Sequence, residues 1–238
     1  MTFLHSGAMG DLVYGLVAIK AMGGGTLFVS RRSRRFRGLL DSEQAFSGLR
    51  TLLTTQTYIH EVSDVKKGVG CDCNLNAFRR QSPARNHLAL CHLTACGVSA
   101  DISVPWIDRE RVGPSSVAEI VISRSTRRKG SLEWTMLRPW SSRCVFLGLE
   151  CEHEQFLRDT GLSVRREPIG DAYEMAKIIA GARLFVGNQS FPYSLAEAMK
   201  INRILEVCDV VPNCMPHGGR HCTRLDDEFV RSCIEPGW

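Results

Sequence analysis

The chain has 238 residues, which is enough for one large domain or for two of roughly 100 residues each. Its composition, 44% hydrophobic and 23% charged, is that of a folded globular protein and excludes a disordered chain. The net charge of +5 is mildly basic, no apolar run reaches the roughly 18 residues of a transmembrane helix, and the start MTFLHSGAMGD lacks signal-peptide features, so we expect a cytoplasmic protein without membrane insertion.

The first half of the chain predicts the start of a doubly wound parallel sheet. A short strand is followed by a glycine-containing loop, Ser6 to Asp11, and then by apolar residues that recur at helical spacing. The order strand, glycine loop, helix and strand is typical of nucleotide-binding α/β folds. The predicted elements are a strand over 2–5, a helix over 11–22, a strand over 26–30, a helix over 42–55, strands over 58–62 and 73–75, and a helix over 87–96.

Five arginines crowd the segment that follows the second predicted strand: Arg31, Arg32, Arg34, Arg35 and Arg37. Folds of the α/β class place their ligand-binding loops directly after strands, so this position favours contact with a polyphosphate or a nucleic acid. The alternative is an ordinary solvated loop.

A second α/β pattern begins after a predicted linker, the Gly-Pro-Ser-Ser of residues 113–116. Alternating strands and helices predict a parallel sheet covered on both faces. We therefore divide the chain into an N-terminal domain of residues 1–112 and a C-terminal domain of residues 113–238. Both are α/β and Rossmann-like, and we expect them to face each other across a cleft. The predicted elements are strands over 118–123, 143–147, from 164, 184–186 and 203–207, and helices over 152–160, 172–180, 194–200 and 226–233.

The glycine loop offers a candidate base and a phosphate-binding turn. Gly7 and Gly10 allow a tight turn and the close approach of a ligand, and the following helix begins with free N–H groups. Asp11 has two interpretations: an acidic residue that stabilises the start of a helix, or a general base directed at an acceptor hydroxyl. The loop lacks the spacing of a dinucleotide-binding fingerprint.

The second candidate segment runs from residue 184 to residue 199, where a strand leads through Gly-Asn-Gln-Ser into a helix. Gly187 allows close approach, Asn188, Gln189 and Ser190 offer hydrogen bonds, and the helix start can hold a phosphate. Glu197 is placed one turn further on, where it is a candidate partner of a ribose. The alternative is a plain strand-turn-helix with Ser190 as a cap. A basic loop after another predicted strand adds further candidates: Arg124, Arg127, Arg128 and Lys129.

Ten cysteines are spread along the chain, and we expect reduced, mostly buried thiols. Cys214, His217, His221 and Cys222, with Cys208, form one cluster that could hold a metal ion, but their spacing matches no standard zinc pattern. We therefore predict no metal site.

Together these motifs resemble the heptosyltransferase-type GT-B glycosyltransferases, the family 9-like group. HSGAMGDLVYGLVAI, residues 5–19, is similar to their N-terminal motif, in which a Ser/Gly-x-x-Gly-Asp loop opens the first helix. The segment 185–198 is similar to their donor loop, in the Gly-Asn-Gln-Ser version of short bacterial and phage-type enzymes. Residues 120–130, 145–156 and 171–181 follow the order of the same group.

The resemblance implies an inverting transferase that uses a nucleotide-sugar donor and needs no metal cofactor. Asp11 matches the catalytic base. Arg124, Arg127 and Lys129 would neutralise the leaving diphosphate, and the donor contacts would come from Gly10, Gly187, Asn188, Gln189, Ser190 and Glu197. In many GT-B enzymes the last helix returns to the N-terminal domain, which is one expectation for residues 226–233. The chain is shorter than a typical member, and its donor loop lacks the usual Asp-x-Gly with a following His, so the donor sugar does not carry over.

The arginines Arg31, Arg32, Arg34 and Arg35 suit a polyanionic acceptor. Double-stranded DNA with hydroxymethylated pyrimidines is one candidate, which would place a phage-encoded enzyme in the host cytoplasm; an anionic glycan or a lipid-linked sugar is another. Two further alternatives stay open: an epimerase of nucleotide sugars, and a binding module for nucleotides or nucleic acids without catalysis.

Overall fold

The computed structural model describes residues 1–36, 40–66 and 68–235, so Arg37 lies outside the described residues. The strands are β1 (Thr2–His5), β2 (Gly25–Val29), β3 (Ile59–Asp64), β4 (Cys73–Asn74), β5 (Ile120–Ser123), β6 (Cys144–Phe146), β7 (Arg165–Arg166), β8 (Leu184–Asn188), β9 (Arg203–Glu206) and β10 (His221–Cys222). The helices are α1 (Met9–Ala21), α2 (Glu43–Thr54), α3 (Leu88–Ala95), α4 (Arg109–Val112), α5 (Glu150–Thr160), α6 (Ala172–Gly181), α7 (Phe191–Met199) and α8 (Asp227–Ile234). Two 3-10 helices span Leu75–Arg80 and Trp134–Arg143.

Most of these elements match the apolar patterns of the sequence. The helices and strands that were predicted are present, with ends shifted by up to three residues. Both 3-10 helices, α4 and β10 were not predicted. Helix α4 and strand β10 are short. The second 3-10 helix has buried apolar residues at every third position (Trp134, Leu137 and Trp140), which is not the α-helical spacing, and Pro139 interrupts it.

The first sheet has the strand order β3-β2-β1-β4, and all of its pairs are parallel. From β1 the chain moves through α1 to β2 on one side, whereas β4 lies on the other side of β1. Parallel sheets open a crevice where the order reverses in this way, at the carboxyl ends of the strands. The glycine loop after β1 and the 3-10 helix after β4 therefore border the crevice of this sheet.

The second sheet is also wholly parallel, with the order β10-β9-β8-β5-β6-β7. The chain leaves β5 toward β6 and leaves β8 toward β9, so the order reverses between β5 and β8. The basic loop after β5 and the Gly-Asn-Gln-Ser turn after β8 lie at this second crevice.

The two halves pack directly on each other. Helix α1 contacts α7, and α2 contacts α6. Gly48 of α2 lies so close to the start of α6 that a Cβ there would be 2.3 Å from the Asp171 carboxyl carbon. The larger hydrophobic core includes residues of both sheets, so the division into two domains and the cleft between them stay predictions.

Helix α8 packs on the second sheet. Val230 and Ile234 are buried in the smaller core, together with Ile122, Leu184 and Ile204, and Phe229 packs against its edge. The backbone carbonyl of Ile234 also accepts hydrogen bonds from two arginines of the same half, Arg143 and Arg183. The expectation that this helix returns to the N-terminal half is therefore wrong, since its apolar face is used in the smaller core. None of the helices in the described part of the chain is long and apolar enough to cross a membrane.

Candidate active site

Asp11 lies at the start of α1, where the two halves meet. It is the third residue of the helix, and its carboxylate accepts a hydrogen bond from the backbone of Ala8. Its side chain is 28% exposed, so a reactant can still reach it. A Cβ on Gly10 would be 3.8 Å from the Ser194 hydroxyl and from the Phe191 Cα. The first turns of α1 and α7, one from each sheet, are therefore neighbours at Asp11.

Three arginines from three separate segments surround the Asp11 carboxylate. The Nη2 of Arg79 is 3.4 Å from its Oδ2. Arg128 of the basic loop and Arg35 of the arginine segment are near enough for their charges to lower its pKa. Burial is the larger effect, and the pKa of Asp11 is raised above its ordinary value. A carboxylate of raised pKa is a stronger base, which is the property a general base needs.

The glycine loop is fixed by side chains from two neighbouring segments. The Asn76 Oδ1 accepts hydrogen bonds from the Ser6 N–H at 3.1 Å and from the Ser6 Oγ at 3.0 Å. The Ser33 Oγ donates to the Ser6 carbonyl at 2.8 Å. Gly7 cannot be replaced without movement, because a Cβ would lie 2.4 Å from the Arg79 Nη2. The loop before Asp11 is therefore held in one conformation.

Among the described arginines of the segment, one is structural and three line a pocket. Arg31 forms ion pairs of 2.8 Å with both Glu43 and Asp64, and only 11% of its side chain is exposed. Its charge is neutralised, so the predicted acceptor role of Arg31 is not supported. The other three line a cavity of about 1030 Å³ next to Ser6. The basic residues of its wall are Arg32, Arg34, Arg35 and Lys66.

Asn188 binds the protein rather than facing a ligand. Its side chain is fully buried and holds the basic loop through three main-chain groups. The Nδ2 donates to the Ser125 carbonyl at 2.9 Å and to the Arg127 carbonyl at 2.7 Å, and the Oδ1 accepts from the Ser125 N–H at 3.0 Å. Gly187 is required by the sheet, since a Cβ would be 2.4 Å from the Ser123 carbonyl oxygen of β5.

Gln189 holds the loop on the other side of α7. Its Nε2 donates to the Val211 carbonyl at 2.7 Å, and its Oε1 accepts from the Cys208 N–H at 2.9 Å. Ser190 precedes the first residue of α7 and is partly exposed, but its Oγ donates to the Asn188 carbonyl and gives the helix no side-chain cap. The start of α7 is thus flanked by two loops that the Asn-Gln pair fixes.

Two of the predicted diphosphate residues bind carboxylates. Arg124 is buried and forms a bidentate pair with the fully buried Glu206, at 2.9 and 2.7 Å. It also shares Asp159 with Lys129, at 2.9 and 2.7 Å. Arg124 therefore stabilises the carboxyl ends of β5 and β9, which its position after β5 did not reveal. Lys129 remains partly exposed at its edge.

The exposed part of the basic loop includes Arg127 and Arg128. Arg128 has a left-handed backbone conformation with φ of 54°, and its Nη1 donates to the Asn213 Oδ1 at 3.4 Å. Its charge is near enough to Asp11 to lower the pKa of that carboxyl. The sequence showed Arg128 as one of a basic cluster and gave no reason to prefer it.

Glu197 is fully buried in α7 and pairs with basic residues of the protein, so the structure does not support the predicted ribose contact. Its two carboxylate oxygens are 2.5 Å from the Lys200 Nζ and 2.5 Å from the Arg203 Nε. The His217 N–H donates to it at 3.2 Å. Arg203 is fully buried as well, and its guanidinium also donates to the carbonyls of His217 and Gly218. The group anchors the loop after β9.

The cysteines and histidines of the 208–222 loop make other contacts within the protein. Across the described residues, no three His, Cys, Asp or Glu side chains are grouped as metal ligands. Cys214 is buried beside Tyr14, and burial raises the pKa of its thiol to about 11. The ring of His217 packs edge-on against His87 at 4.9 Å.

Asn188→Asp tests whether Asn188 holds the basic loop. Aspartate can still accept from the Ser125 N–H but cannot donate to the two carbonyls, so we expect a stability loss of about 1–3 kcal/mol. Urea unfolding measures that loss, and limited trypsin digestion should cut faster after Arg127, Arg128 and Lys129. The control is Asn202→Asp, which removes one exposed bond to the Arg183 carbonyl. Equal cleavage in the two variants would contradict this role.

The two wholly parallel sheets, with the glycine loop at one reversal of strand order and the Gly-Asn-Gln-Ser turn at the other, form an α/β fold of the GT-B kind. Solved structures similar to this chain include heptosyltransferases. An Escherichia coli heptosyltransferase, WaaC with ADP, matches with a TM-score of 0.62 and 13% identity over 94% of this chain and 93% of that one.

Two further structures support the same fold. A glycosyl transferase family 9 protein of Veillonella parvula matches with a TM-score of 0.59 and 10% identity, over 100% of this chain and 91% of that one. The E. coli ADP-heptose lps heptosyltransferase II matches with a TM-score of 0.54 and 10% identity, over 98% of each. No protein-family model matches the sequence, and the search of curated proteins gave no match.

Proposed function

We propose that the protein is an inverting glycosyltransferase that moves a sugar from a nucleoside-diphosphate sugar to an acceptor hydroxyl. The observation that carries the proposal is the position of Asp11: a partly exposed carboxylate of raised pKa at the crevice of the first sheet, beside the start of α7 and facing Arg128. The structural relatives with bound ADP and ADP-2-deoxy-2-fluoro heptose support a nucleotide-sugar donor.

In this reaction Asp11 accepts the proton of the acceptor hydroxyl as its oxygen attacks C1 of the sugar. The bond between C1 and the diphosphate oxygen breaks on the opposite face, and the diphosphate leaves with the electron pair. One displacement of this kind inverts the anomeric centre. Arg127, Arg128 and Lys129 stabilise the charge that develops on the leaving group, together with the start of α7, so the reaction needs no metal cofactor.

The donor nucleoside would occupy a cavity of about 550 Å³ at the carboxyl end of β9. Its wall includes Glu206, Val207 and the segment 131–133, and Gly130 approaches Val207 so closely that a Cβ would lie 2.0 Å from its carbonyl oxygen. Carboxyl ends of parallel strands are the usual place for a nucleotide in α/β folds. Arg124 contributes by fixing Glu206 at the edge of this cavity.

The acceptor is placed in the cavity of about 1030 Å³ lined by Arg32, Arg34, Arg35 and Lys66, which suits an anionic molecule. Asp64, the acidic residue of this wall, is paired with Arg31. We propose double-stranded DNA with hydroxymethylated pyrimidines as the acceptor, with the target base flipped into the cavity and the flanking phosphates on the arginines.

A donor screen tests the reaction. The protein is incubated with a panel of nucleotide sugars, with and without DNA containing 5-hydroxymethylcytosine. Two products are followed: the released nucleoside diphosphate and the mass of the nucleosides from the digested DNA. DNA-dependent release with a hexose- or pentose-sized mass gain supports the proposal. Release without DNA modification means that water has taken the sugar, which points to a different natural acceptor such as a glycan or a lipid-linked sugar. Conversion of the donor alone points to an epimerase. Binding of a nucleotide sugar without any turnover would make the protein a binding module.

The triple variant Arg32→Ala, Arg34→Ala and Arg35→Ala tests the acceptor surface. If each side chain contacts a phosphate, the slope of log affinity for duplex DNA against log salt should become less negative by about 2–3. Fluorescence anisotropy between 50 and 300 mM salt measures it. The matched control is Arg109→Ala with Arg111→Ala on α4, whose side chains are exposed on another part of the surface. An unchanged slope in the triple variant would show that these arginines do not bind DNA and would exclude DNA as the ligand of this cavity.

A further inference from the structure

Arg79 is the residue that contacts the candidate base directly, and the structure holds it from three sides. Its Nη1 donates to the Asn76 Oδ1 at 2.9 Å, and its guanidinium lies over the ring of Phe78 at 4.5 Å. The Nη2 reaches the Asp11 Oδ2 at 3.4 Å. Gly7 keeps the space next to this guanidinium open, because a Cβ at that position would collide with the same Nη2.

The residues behind Arg79 form a continuous polar chain from β4 to the glycine loop. The Asn74 Oδ1 accepts from the Asn76 N–H at 3.1 Å and from its Nδ2 at 2.9 Å. The Asn76 Oδ1 in turn accepts from both Arg79 and Ser6. The guanidinium and the loop that precedes Asp11 therefore share one anchor. A movement of the 3-10 helix Leu75–Arg80 would displace both of them together.

We propose, on the basis of the function proposed above, that Arg79 is the positioning residue of the reaction. It fixes the Asp11 carboxylate at the crevice between β1 and β4 and keeps it in the ionised form that accepts the acceptor proton. Arg79 itself need not contact either substrate.

The charges around Asp11 support this role. Arg79 comes from the 3-10 helix after β4, Arg35 from the arginine segment and Arg128 from the basic loop, and all three lower the pKa of Asp11. Arg79 has the largest effect of the three. The nearby imidazoles add no positive charge at neutral pH, because burial lowers the pKa of His92 to about 3 and that of His5 well below its usual value. Arg79 thus opposes the burial that would otherwise protonate the base.

The pH dependence follows from the sign of these effects. The carboxylate is the reactive form, so transfer rises with pH through the pKa of Asp11 and then reaches a plateau. Loss of Arg79 moves that pKa upward and shifts the rising limb toward higher pH. We expect Arg79→Gln to be about tenfold slower than wild type on the rising limb and close to wild type on the plateau. Arg79→Lys keeps a positive charge, so a loss of about threefold on the limb is expected.

Single-turnover transfer rates are measured from pH 5 to 9.5 for both variants and for the control Arg80→Gln, whose side chain is exposed on the same 3-10 helix. A second measurement needs no turnover: the carboxyl ¹³C shift of Asp11 is titrated in protein labelled at aspartate, with its signal assigned by its loss in Asp11→Asn. In this titration we expect the pKa of Asp11 to move upward in Arg79→Gln, as in the rate profile, and to move less in Arg79→Lys.

The outcomes separate this inference from the function on which it rests. A plateau that stays low, with a raised KM for the acceptor, would make Arg79 an acceptor-binding residue and overturn the proposal, as would an unmoved titration of Asp11. If Arg79→Gln does not fold, Arg79→Lys tests the proposal through the same two measurements, the pH profile of transfer and the ¹³C titration of Asp11. If wild type transfers no sugar, the proposed function fails, and the NMR titration still shows whether Arg79 keeps Asp11 ionised.

Discussion

Replacing Asp11 with asparagine is expected to slow sugar transfer by about 100- to 10,000-fold, the usual contribution of a general base. The amide keeps the size and hydrogen-bonding shape of the side chain but cannot take a proton from the acceptor. The change lies at the edge of the first turn of α1, where the carboxylate contributes one ion pair with a partly exposed arginine. We therefore expect little loss of stability from the substitution.

The measurement compares kcat and the dissociation constant of the donor in the same preparation. The proposed donor site lies on the second sheet, so nucleotide-sugar affinity should remain near that of wild type while kcat falls. The rising limb of the pH profile should also disappear, since the group that titrates there has been removed. The control is Glu150→Gln, another acidic residue in the first turn of a helix, which is exposed at the start of α5.

The opposite pattern would change the assignment. A weaker affinity with an unchanged kcat would mean that Asp11 only shapes the start of α1, the structural interpretation that the sequence allowed. Its hydrogen bond from Ala8 shows that this structural role exists. Asp11→Asn tests whether Asp11 has a catalytic role in addition to this structural one.

The elements of the fold could be predicted because each has a local cause. Apolar residues at helical spacing defined α1, and the strand patterns of 2–5 and 26–30 gave β1 and β2 within one residue. The glycine loop and the Gly-Asn-Gln-Ser turn could also be predicted, because each is a local pattern that follows a strand and precedes a helix. Strand order is not local. The reversals between β1 and β4 and between β5 and β8, which create the two crevices, depend on pairings that no sequence pattern expresses.

The roles of individual side chains were harder to predict because their partners are distant in the sequence. Arg124 and Glu206 are 82 residues apart, and Asp11 and Arg79 are 68 apart. A basic residue after a strand has the same local pattern whether it faces a phosphate or a buried carboxylate. Arg124 was therefore interpreted as a ligand contact, and Arg79, in an unpredicted 3-10 helix, was missed.

Glu197→Ala is expected to lower the free energy of unfolding by about 3–5 kcal/mol, because it leaves the buried charge of Arg203 without its carboxylate. Glu197 and Arg203 are both fully buried, and Lys200 loses its partner as well. The loss is measured by urea unfolding. Its control is Glu154→Ala, which breaks an exposed pair with Arg158 and should change stability little.

A second variant, Glu197→Gln, separates a structural role of Glu197 from a ligand-binding role. A ribose contact would make Glu197→Gln bind nucleoside diphosphate more weakly at nearly unchanged stability, whereas the buried network predicts a large stability loss with affinity retained in the folded fraction. A double variant, Glu197→Leu with Arg203→Met, removes both charges and should recover part of the loss, since an apolar pair avoids the cost of a single buried charge. Recovery of stability without any change in nucleotide affinity would show that Glu197 and Arg203 serve the fold and do not contact the donor.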